Sequence, residues 1–320
     1  MNERIRKLRE QSLETKPSIS GERARLITEF YRSEEARGLS TPVGRALAFK
    51  YILENKAVVF NGGELIVGER GHAPRATPTY PEITVHTRQD LDILDTREKT
   101  SYAVDQETKD LYEKEIIPFW KGGSIRDRIF KQVSEEWKEA FAAGVFTEFM
   151  EQRAPGHTVL DGKIYTKGML DFKQDILRSL ESLDFLNDPD AFAKREELRA
   201  MDIAADALIR FGERHSEKAR ELAAEETDPQ RKEELEKIAE VCARVPAHAP
   251  RDFWEALQYY WFVHLGVTIE LNPWDAFCPG KLDQHLLPFY REGLQTGTLT
   301  PESAKELLHC FWIKFNNQPA

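Results

Sequence analysis

Residues 57–82 read AVVFNGGELIVGERGHAPRATPTYPE, the stretch that departs most from the rest of the chain. The apolar runs on either side of the turn at 61–63 predict two short strands. From Gly71 to Val85, three prolines and the lack of a helical period predict an irregular, extended path. Irregular backbone of this kind is where ligand-contacting residues commonly lie.

Helical patterns surround this stretch on both sides. Apolar side chains at spacings of three and four predict helices between Met1 and about Glu54. A capping pattern at Ser124 opens a helix whose apolar stripe reaches Phe141. The other predicted elements are helices at 168–186, 190–245 (two helices, split near 227–229), 251–264, 282–290 and 301–316, and a strand at Val267–Leu271.

Composition and charge exclude several classes of protein. The 320 residues carry 45 Lys and Arg against 55 Asp and Glu, a net charge of −10, which argues against nonspecific binding of nucleic acid. There is no run of 18 apolar residues, so no membrane span is expected. The first residues lack the apolar core of a secretory signal, which makes the cytoplasm the expected location.

The standard metal and phosphate motifs are not present in the sequence. Three cysteines (Cys242, Cys278, Cys310) are too few and too scattered for a disulfide scaffold. Neither a C-x-x-C nor an H-E-x-x-H pattern occurs, so no metal site is expected. Glycines at 63 and 68 have the spacing of a phosphate-binding loop, but Glu69-Arg70 follows where Lys-Ser/Thr is required.

Two polar loops are the candidates for chemistry. His157, within Pro-Gly-His-Thr at 155–158, can act as an acid or base near neutral pH, or it can simply bond its own loop. Asp275, within Asn-Pro-Trp-Asp at 272–275, can face a ligand or cap the next turn. From the residues alone these alternatives stay open. His264 shares a helical face with Tyr260 and Trp261, and is interpreted as a packed core histidine.

Five strings, in order along residues 1–320, resemble the N-terminal half of glycyl radical enzymes, the pyruvate formate-lyase-like superfamily. That resemblance implies an α/β, helix-rich fold, in which residues 1–320 form the truncated N-terminal portion of a barrel. The barrel of this superfamily consists of two opposed half-barrels of parallel strands, wrapped by helices. The strings are GGELIVGERGHAPRATPTYPE (62–82), EKEIIPFWKG (113–122), APGHTVLDGKIYTKG (154–168), LDQHLLPFYREG (282–293) and LLHCFWIKFNN (307–317).

Three segments are most similar to the trans-4-hydroxy-L-proline dehydratase branch: PTYPE at 78–82, FTEFMEQRAPGHT at 146–158 and NPWDAF at 272–277. The implied reaction removes water and gives 1-pyrroline-5-carboxylate. By this resemblance, His157 donates a hydrogen bond or proton to the departing hydroxyl, Asp275 holds the hydroxyl or the ring ammonium, and Phe149 walls the pocket. These residue types suit the chemistry, because a poor leaving group needs an acid and a cationic amine favours a carboxylate.

The resemblance also implies what the complete enzyme requires. Family members use a glycyl radical near the C-terminus, installed by an iron–sulfur activating enzyme with S-adenosylmethionine, and a thiyl-forming cysteine. Neither the cysteine loop nor the radical loop is matched within residues 1–320, although Cys278 follows Asp275 by three residues. The chain alone is therefore expected to be inactive and to bind no cofactor directly. The full-length protein is expected to form a homodimer.

Two other functions remain open at this point. The first is a glycyl radical lyase or diol dehydratase that acts on a different small polar substrate. The second is a noncatalytic helical assembly module that descends from the enzyme. The first keeps a role for polar residues such as His157 and Asp275, whereas the second requires none.

Overall fold

The computed structural model describes residues 2–145, 160–271 and 279–319, and within these ranges the chain is dominated by helices. Short 3-10 turns lie at Glu34–Ala36 and Asp161–Tyr165, and a π-helical turn at Tyr112–Ile116. The α-helices are α1 (Glu3–Glu14), α2 (Glu22–Arg32), α3 (Thr41–Asn55), α4 (Arg88–Thr96), α5 (Gln106–Leu111), α6 (Ile117–Trp120), α7 (Ile125–Gln132), α8 (Glu135–Ala142), α9 (Met169–Glu181), α10 (Ala191–Glu225), α11 (Pro229–Arg244), α12 (Phe253–Glu270), α13 (Leu282–Thr296) and α14 (Pro301–Asn316).

Two short strands, β1 (Ser18–Ser20) and β2 (Ala76–Pro78), form a parallel pair. Ser18 lies opposite Ala76, and Ser20 lies opposite Pro78. Because parallel strands require a long crossover, the chain passes through α2 and α3 between them. The pair fixes the start of the 76–82 stretch beside the N-terminus of α2.

Helix α12 is the centre of the core. Its side chains are buried around the whole circumference, including Tyr259, Tyr260, Trp261 and Phe262. A helix that is apolar on every face must lie inside the protein. The long helix α10 packs against α3, α9 and α11, and α12 also contacts it. No helix of the described ranges combines the length and apolar character that crossing a membrane requires.

The prediction of two strands within 57–67 is wrong, because this segment forms no strand in the structure. Side chains of neighbouring helices take the place of a partner strand. The amide group of Gln258 in α12 accepts from the N–H of Val67 at 2.9 Å and donates to its carbonyl oxygen at 3.0 Å. Indole N–H groups of Trp254 and Trp261 donate to the carbonyls of Leu65 and Gly68.

Two further predictions are corrected by the structure. The strand expected at Val267–Leu271 is instead the last turn of α12, which continues to Glu270. The stripe from Ser124 to Phe141 is divided between α7 and α8, because the Ser134 side chain caps a new helix by accepting from the N–H of Trp137. The cap predicted at Ser124 is confirmed, since its hydroxyl accepts from the N–H of Asp127 at 3.1 Å.

The remaining helix predictions are confirmed, with small shifts of boundary. Gly168 is the N-cap of α9, and α10 and α11 are separated at 226–228 as expected. Asp252 caps α12, and Thr300 caps α14. Helix α13 extends to Thr296, beyond the predicted end at Tyr290. His264 is buried and its ring stacks on Trp261 with centroids 5.1 Å apart, as its core interpretation predicts.

Candidate active site

The three residues proposed from the resemblance lie outside the described residues. Phe149 and His157 fall within 146–159, and Asp275 and Cys278 fall within 272–278. The structure does describe the elements that lead into and out of these two segments. These flanking elements are the C-terminal end of α12, the turn at Asp161–Tyr165 and the start of α13.

Arg23 of α2 caps the C-terminal end of α12. Its guanidinium Nε donates to the carbonyl oxygen of Ile269 at 2.5 Å, and an Nη donates to that of Glu270 at 3.4 Å. The last carbonyls of a helix lack partners within it and carry partial negative charge, so a cation at this position stabilises the helix end. Arg23 thus fixes the end of α12, which lies two positions before residue 272.

The PTYPE segment holds Arg23 in this place. Two oxygens of Glu82 accept from the guanidinium at 2.5 and 3.2 Å, and the carbonyl of Thr79 accepts at 3.1 Å. The ring of Tyr80 lies 4.0 Å below the guanidinium carbon. Burial disfavours the charge of Arg23, but the Glu82 carboxylate and its hydrogen bonds outweigh this and raise the pKa of Arg23. The cation is therefore permanent.

Tyr80 and Tyr112 complete the contact between 78–82 and the helices. The Tyr80 hydroxyl donates to the carbonyl of Thr268 in the last turn of α12. The Tyr112 hydroxyl donates to the Thr79 hydroxyl oxygen at 2.5 Å. Burial raises the pKa of Tyr80 to about 12, so it remains a donor throughout the neutral range. The irregular path of 78–82 is thereby fixed on several sides.

A second support lies where both segments rejoin the described chain. The turn Asp161–Tyr165 follows residue 159, and α13 follows residue 278. The rings of Tyr165 and His285 stack with centroids 4.9 Å apart and planes inclined by 16°. Asp161 Oδ1 lies 3.7 Å from His285 Nε2. The structure thus brings together the two stretches of chain that leave the candidate segments.

The described cysteines do not fit a radical-carrying role. Cys242 in α11 and Cys310 in α14 are buried, with 1% and 3% of their surface exposed. Burial raises the pKa of Cys242 well above its usual range and that of Cys310 to about 12. A substrate cannot reach either of these buried sulfur atoms. Across the described ranges, no three His, Cys, Asp or Glu side chains converge as metal ligands.

Sequence reasoning did not identify Arg23, Tyr80, Tyr165 or His285. Arg23 lies among the buried positions of α2, between apolar neighbours on the helical face that carries Ile27 and Phe30. A cation within an apolar stripe is a signal, because a buried charge needs a partner. Tyr165 and His285 each fall inside a string that carries the family resemblance, but nothing in the sequence pairs them. Their contact depends on tertiary structure.

The whole chain, residues 1–320, matches the family model described as pyruvate formate lyase-like. The chain belongs to this family. The expected resemblance to the superfamily is therefore confirmed. A helix-rich structure that matches solved glycyl radical enzymes also confirms the expected fold class.

This pyruvate formate lyase-like chain is similar to several individual members of the family. It is 53% identical to trans-4-hydroxy-L-proline dehydratase of Clostridioides difficile over 99% of its own length and 40% of the relative's. It is 33% identical to isethionate sulfite-lyase of Nitratidesulfovibrio vulgaris over 98% and 39% of the respective lengths. The structure of the C. difficile hydroxyproline dehydratase with trans-4-hydroxy-L-proline bound superposes with a TM-score of 0.96, covering all of this chain and 40% of that one. The chain thus spans about two fifths of the relatives it matches.

Proposed function

We propose that this chain forms the substrate-binding part of a glycyl radical dehydratase that converts trans-4-hydroxy-L-proline to 1-pyrroline-5-carboxylate and water. The observation that supports this most is the 53% identity to a hydroxyproline dehydratase across 99% of the chain. The reaction is redox-neutral overall, because the product and water together contain all the atoms of the substrate. It therefore consumes no external oxidant or reductant.

Within this proposal, three residues of the chain contact the substrate. His157 donates a hydrogen bond or proton to the hydroxyl that leaves as water, and Asp275 accepts from the hydroxyl or the ring ammonium. Phe149 forms an apolar wall. The supports described above suit such a role, since Arg23 fixes the chain two residues before residue 272 and Tyr165 follows residue 159 by six positions.

The radical itself belongs to parts of the protein that family members carry in addition. We propose that the complete protein acts as a homodimer in the cytoplasm. A separate S-adenosylmethionine-dependent activating enzyme installs its glycyl radical. Residues 1–320 alone, treated with that activating enzyme, are expected to give no product, because neither the thiyl-forming cysteine loop nor the radical loop of the family is matched within them.

The test uses the complete protein, activated without oxygen and supplied with trans-4-hydroxy-L-proline, with 1-pyrroline-5-carboxylate as the measured product. His157→Gln and Asp275→Asn are each expected to lower kcat/KM by about 100-fold or more, the usual size of an acid–base contribution. His248→Gln is the matched control, since His248 is exposed on the surface. Wild-type rates in both site variants would remove these residues from the mechanism.

A second candidate function rests on the 33% identity to isethionate sulfite-lyase. In this alternative, the same pocket takes another small polar substrate, and the bond that breaks differs. Isethionate and 1,2-propanediol are therefore tested beside hydroxyproline with the same activated protein. Turnover of either one, without turnover of hydroxyproline, would replace the proposed substrate. A protein that carries the verified radical and turns over none of them acts on another small polar substrate, whereas a protein in which no radical can be formed favours the noncatalytic assembly module.

A further inference from the structure

A cavity of about 540 Å³ lies between α10, α11 and the stretch that leads from α11 into α12. Its volume falls within the range of sites that bind small molecules. Three arginines from different parts of the chain line it: Arg220 of α10, Arg244 at the end of α11 and Arg251 just before α12. Two small side chains of α11, Ala239 and Ala243, also line it and leave room between the guanidinium groups.

Two of these arginines share one carboxylate, that of Glu255 in the first turn of α12. Arg251 Nη2 and Nε donate to Glu255 Oε1 at 2.6 and 3.1 Å, and Arg244 Nε lies 3.4 Å from Oε2. Arg244 Nη2 also donates to the carbonyl of Ala249 at 3.1 Å. The Glu255 side chain is fully buried, whereas those of Arg244 and Arg251 are 31% and 51% exposed. One carboxylate therefore orients two guanidinium groups but neutralises only one of them.

The third arginine, Arg220, has no carboxylate partner among the residues that the structure describes. The acidic residues closest to it along α10, Glu217 and Glu221, pair with Arg210 and Lys218 instead. The Arg220 side chain is exposed, so its N–H donors are available to a ligand in the cavity.

Two carboxylates of α11 also line the cavity. Glu240 is already paired, since Lys237 Nζ lies 3.1 Å and Arg251 Nη2 3.4 Å from it. Glu236 is exposed and forms no ion pair with the described part of the chain. With Lys237 and Glu255 included, four cations face three carboxylates, so the cavity keeps an excess of positive charge.

We propose that this cavity binds the phosphate group of a small phosphate monoester through Arg220, Arg244 and Arg251. A guanidinium group presents paired N–H donors that match the oxygens of a phosphate. The cavity exceeds the room that a phosphate ion needs, and Ala239 and Ala243 provide apolar contact for the organic part of the ester. The proposal is independent of the proposed function, because it uses no residue of 146–159 or 272–278.

The test is isothermal titration calorimetry of the complete protein with glycerol 3-phosphate, and with glycerol as the probe that lacks the phosphate. The titration is made in about 0.1 M salt, where exposed charges more than about 10 Å apart are largely screened from each other. One saturable site per chain is expected for glycerol 3-phosphate and none for glycerol. Inorganic phosphate is expected to compete for that site.

Three variants of the lining residues test the assignment. Arg220→Gln is expected to raise the dissociation constant by about 10- to 100-fold, the usual effect of losing hydrogen bonds to a charged group. Arg244→Lys is expected to raise it by about tenfold, because lysine keeps the charge but not the paired donors. Glu236→Gln is expected to lower it by about threefold, because a carboxylate is removed from the wall.

The matched control is Lys232→Gln, which removes an exposed cation of α11 outside the cavity. It is expected to keep the dissociation constant within about twofold of the wild type, since a distant charge is screened. An equal weakening in Lys232→Gln and Arg220→Gln would overturn the proposal, because binding would then follow only the net charge.

Two other results would also overturn it: the absence of saturable binding in the wild type, and glycerol binding as tightly as its phosphate. Should Arg244→Lys fail to fold, as its urea unfolding midpoint reports, the decision rests on Arg220→Gln and Glu236→Gln. Both of those replace exposed side chains without an ion pair in the described chain, so folding is expected to be retained. A wild type that binds glycerol 3-phosphate but does not turn over hydroxyproline keeps this site and rejects the proposed substrate.

Discussion

Arg23 shows how one buried side chain can join two segments that are distant from it in the sequence. It is the shared partner of the PTYPE segment and of the last turn of α12. Its charge is neutralised by Glu82, whose side chain is only 20% exposed. A buried ion pair contributes little net stability by itself, but removal of one partner leaves the other charged and poorly solvated.

Arg23→Met is therefore expected to lower the free energy of unfolding by about 3–5 kcal/mol, as for other buried pairs that lose one partner. Urea unfolding followed by circular dichroism measures this change. Arg25→Met is the matched control, because Arg25 pairs with Glu29 on the exposed side of the same helix, and a cost below about 1 kcal/mol is expected there. Equal losses in the two variants would show that Arg23 has no special role.

At the scale of secondary structure, side chains of α12 make the backbone hydrogen bonds of residues 65–68 that a neighbouring strand would otherwise make. Backbone groups of a buried extended segment must find partners, and in a sheet a neighbouring strand supplies them. Here the amide of Gln258 satisfies both the N–H and the C=O of Val67, while two tryptophans donate to the carbonyls on either side. A helix with side chains of the right length thus replaces a sheet.

Gln258→Leu removes both partners of Val67 at once, while the leucine still fills the buried volume. Two buried backbone groups without partners are expected to cost about 2–4 kcal/mol of stability in total. The midpoint of urea unfolding is the measured quantity, and Gln284→Leu on the exposed surface of α13 is the control. A midpoint that matches the control would mean that water enters and satisfies Val67.

The secondary-structure elements differ in how well the sequence predicts them. The helix at 301–316 is predicted correctly because its signals, a cap and a regular apolar period, are local, whereas α12 is predicted only as far as residue 264. The apolar residues 57–67 and 267–271 were interpreted as strands, since short apolar runs carry no period that separates a buried strand from a buried helix. Gln258 bonds the backbone of Val67, and Arg23 bonds the backbone of Ile269. Both partners are distant from these segments in the sequence.

The candidate site also contains residues that the sequence indicates and residues that it does not. The resemblance indicated its substrate-contacting residues, Phe149, His157 and Asp275, from short strings, and these remain predictions because they lie outside the described residues. Its supports could not be predicted, because the partners are distant along the chain: Arg23 and Glu82 are 59 residues apart, and Arg23 and Ile269 are 246 apart. No local pattern of residues specifies a contact across such separations.

Across the whole molecule, a buried ionic cluster connects the last helix to the irregular segment near residue 64. Lys314 of α14 pairs with Glu64 and, at 2.9 Å, with Glu69, and all three side chains are at least 97% buried. Asn317 donates to Glu69 at 3.0 Å. Burial opposes the charge of Lys314, but its two carboxylate neighbours outweigh this and raise its pKa.

Lys314→Met is expected to destabilise the protein by about 3–5 kcal/mol, because it leaves two carboxylates buried without their cation. The triple variant with Glu64→Gln and Glu69→Gln is expected to recover part of that loss, since it removes the uncompensated charges. Lys305→Met on the exposed face of α14 serves as control, with an effect within about 0.5 kcal/mol. A triple variant that is no more stable than Lys314→Met would contradict this account.

The contact between α1 and α14 joins two helices that are synthesised far apart in time. Asn2 donates to Glu306 at 2.6 Å across 304 positions, and Ser12 donates to Asn317 at 2.6 Å. Translation at about 5–20 residues per second separates the emergence of these partners from the ribosome by roughly 15–60 s. During that interval the apolar face of α1, with Ile5 and Leu8, has no α14 to pack against. The apolar face of α1 is therefore covered by α14 only after α14 has been synthesised.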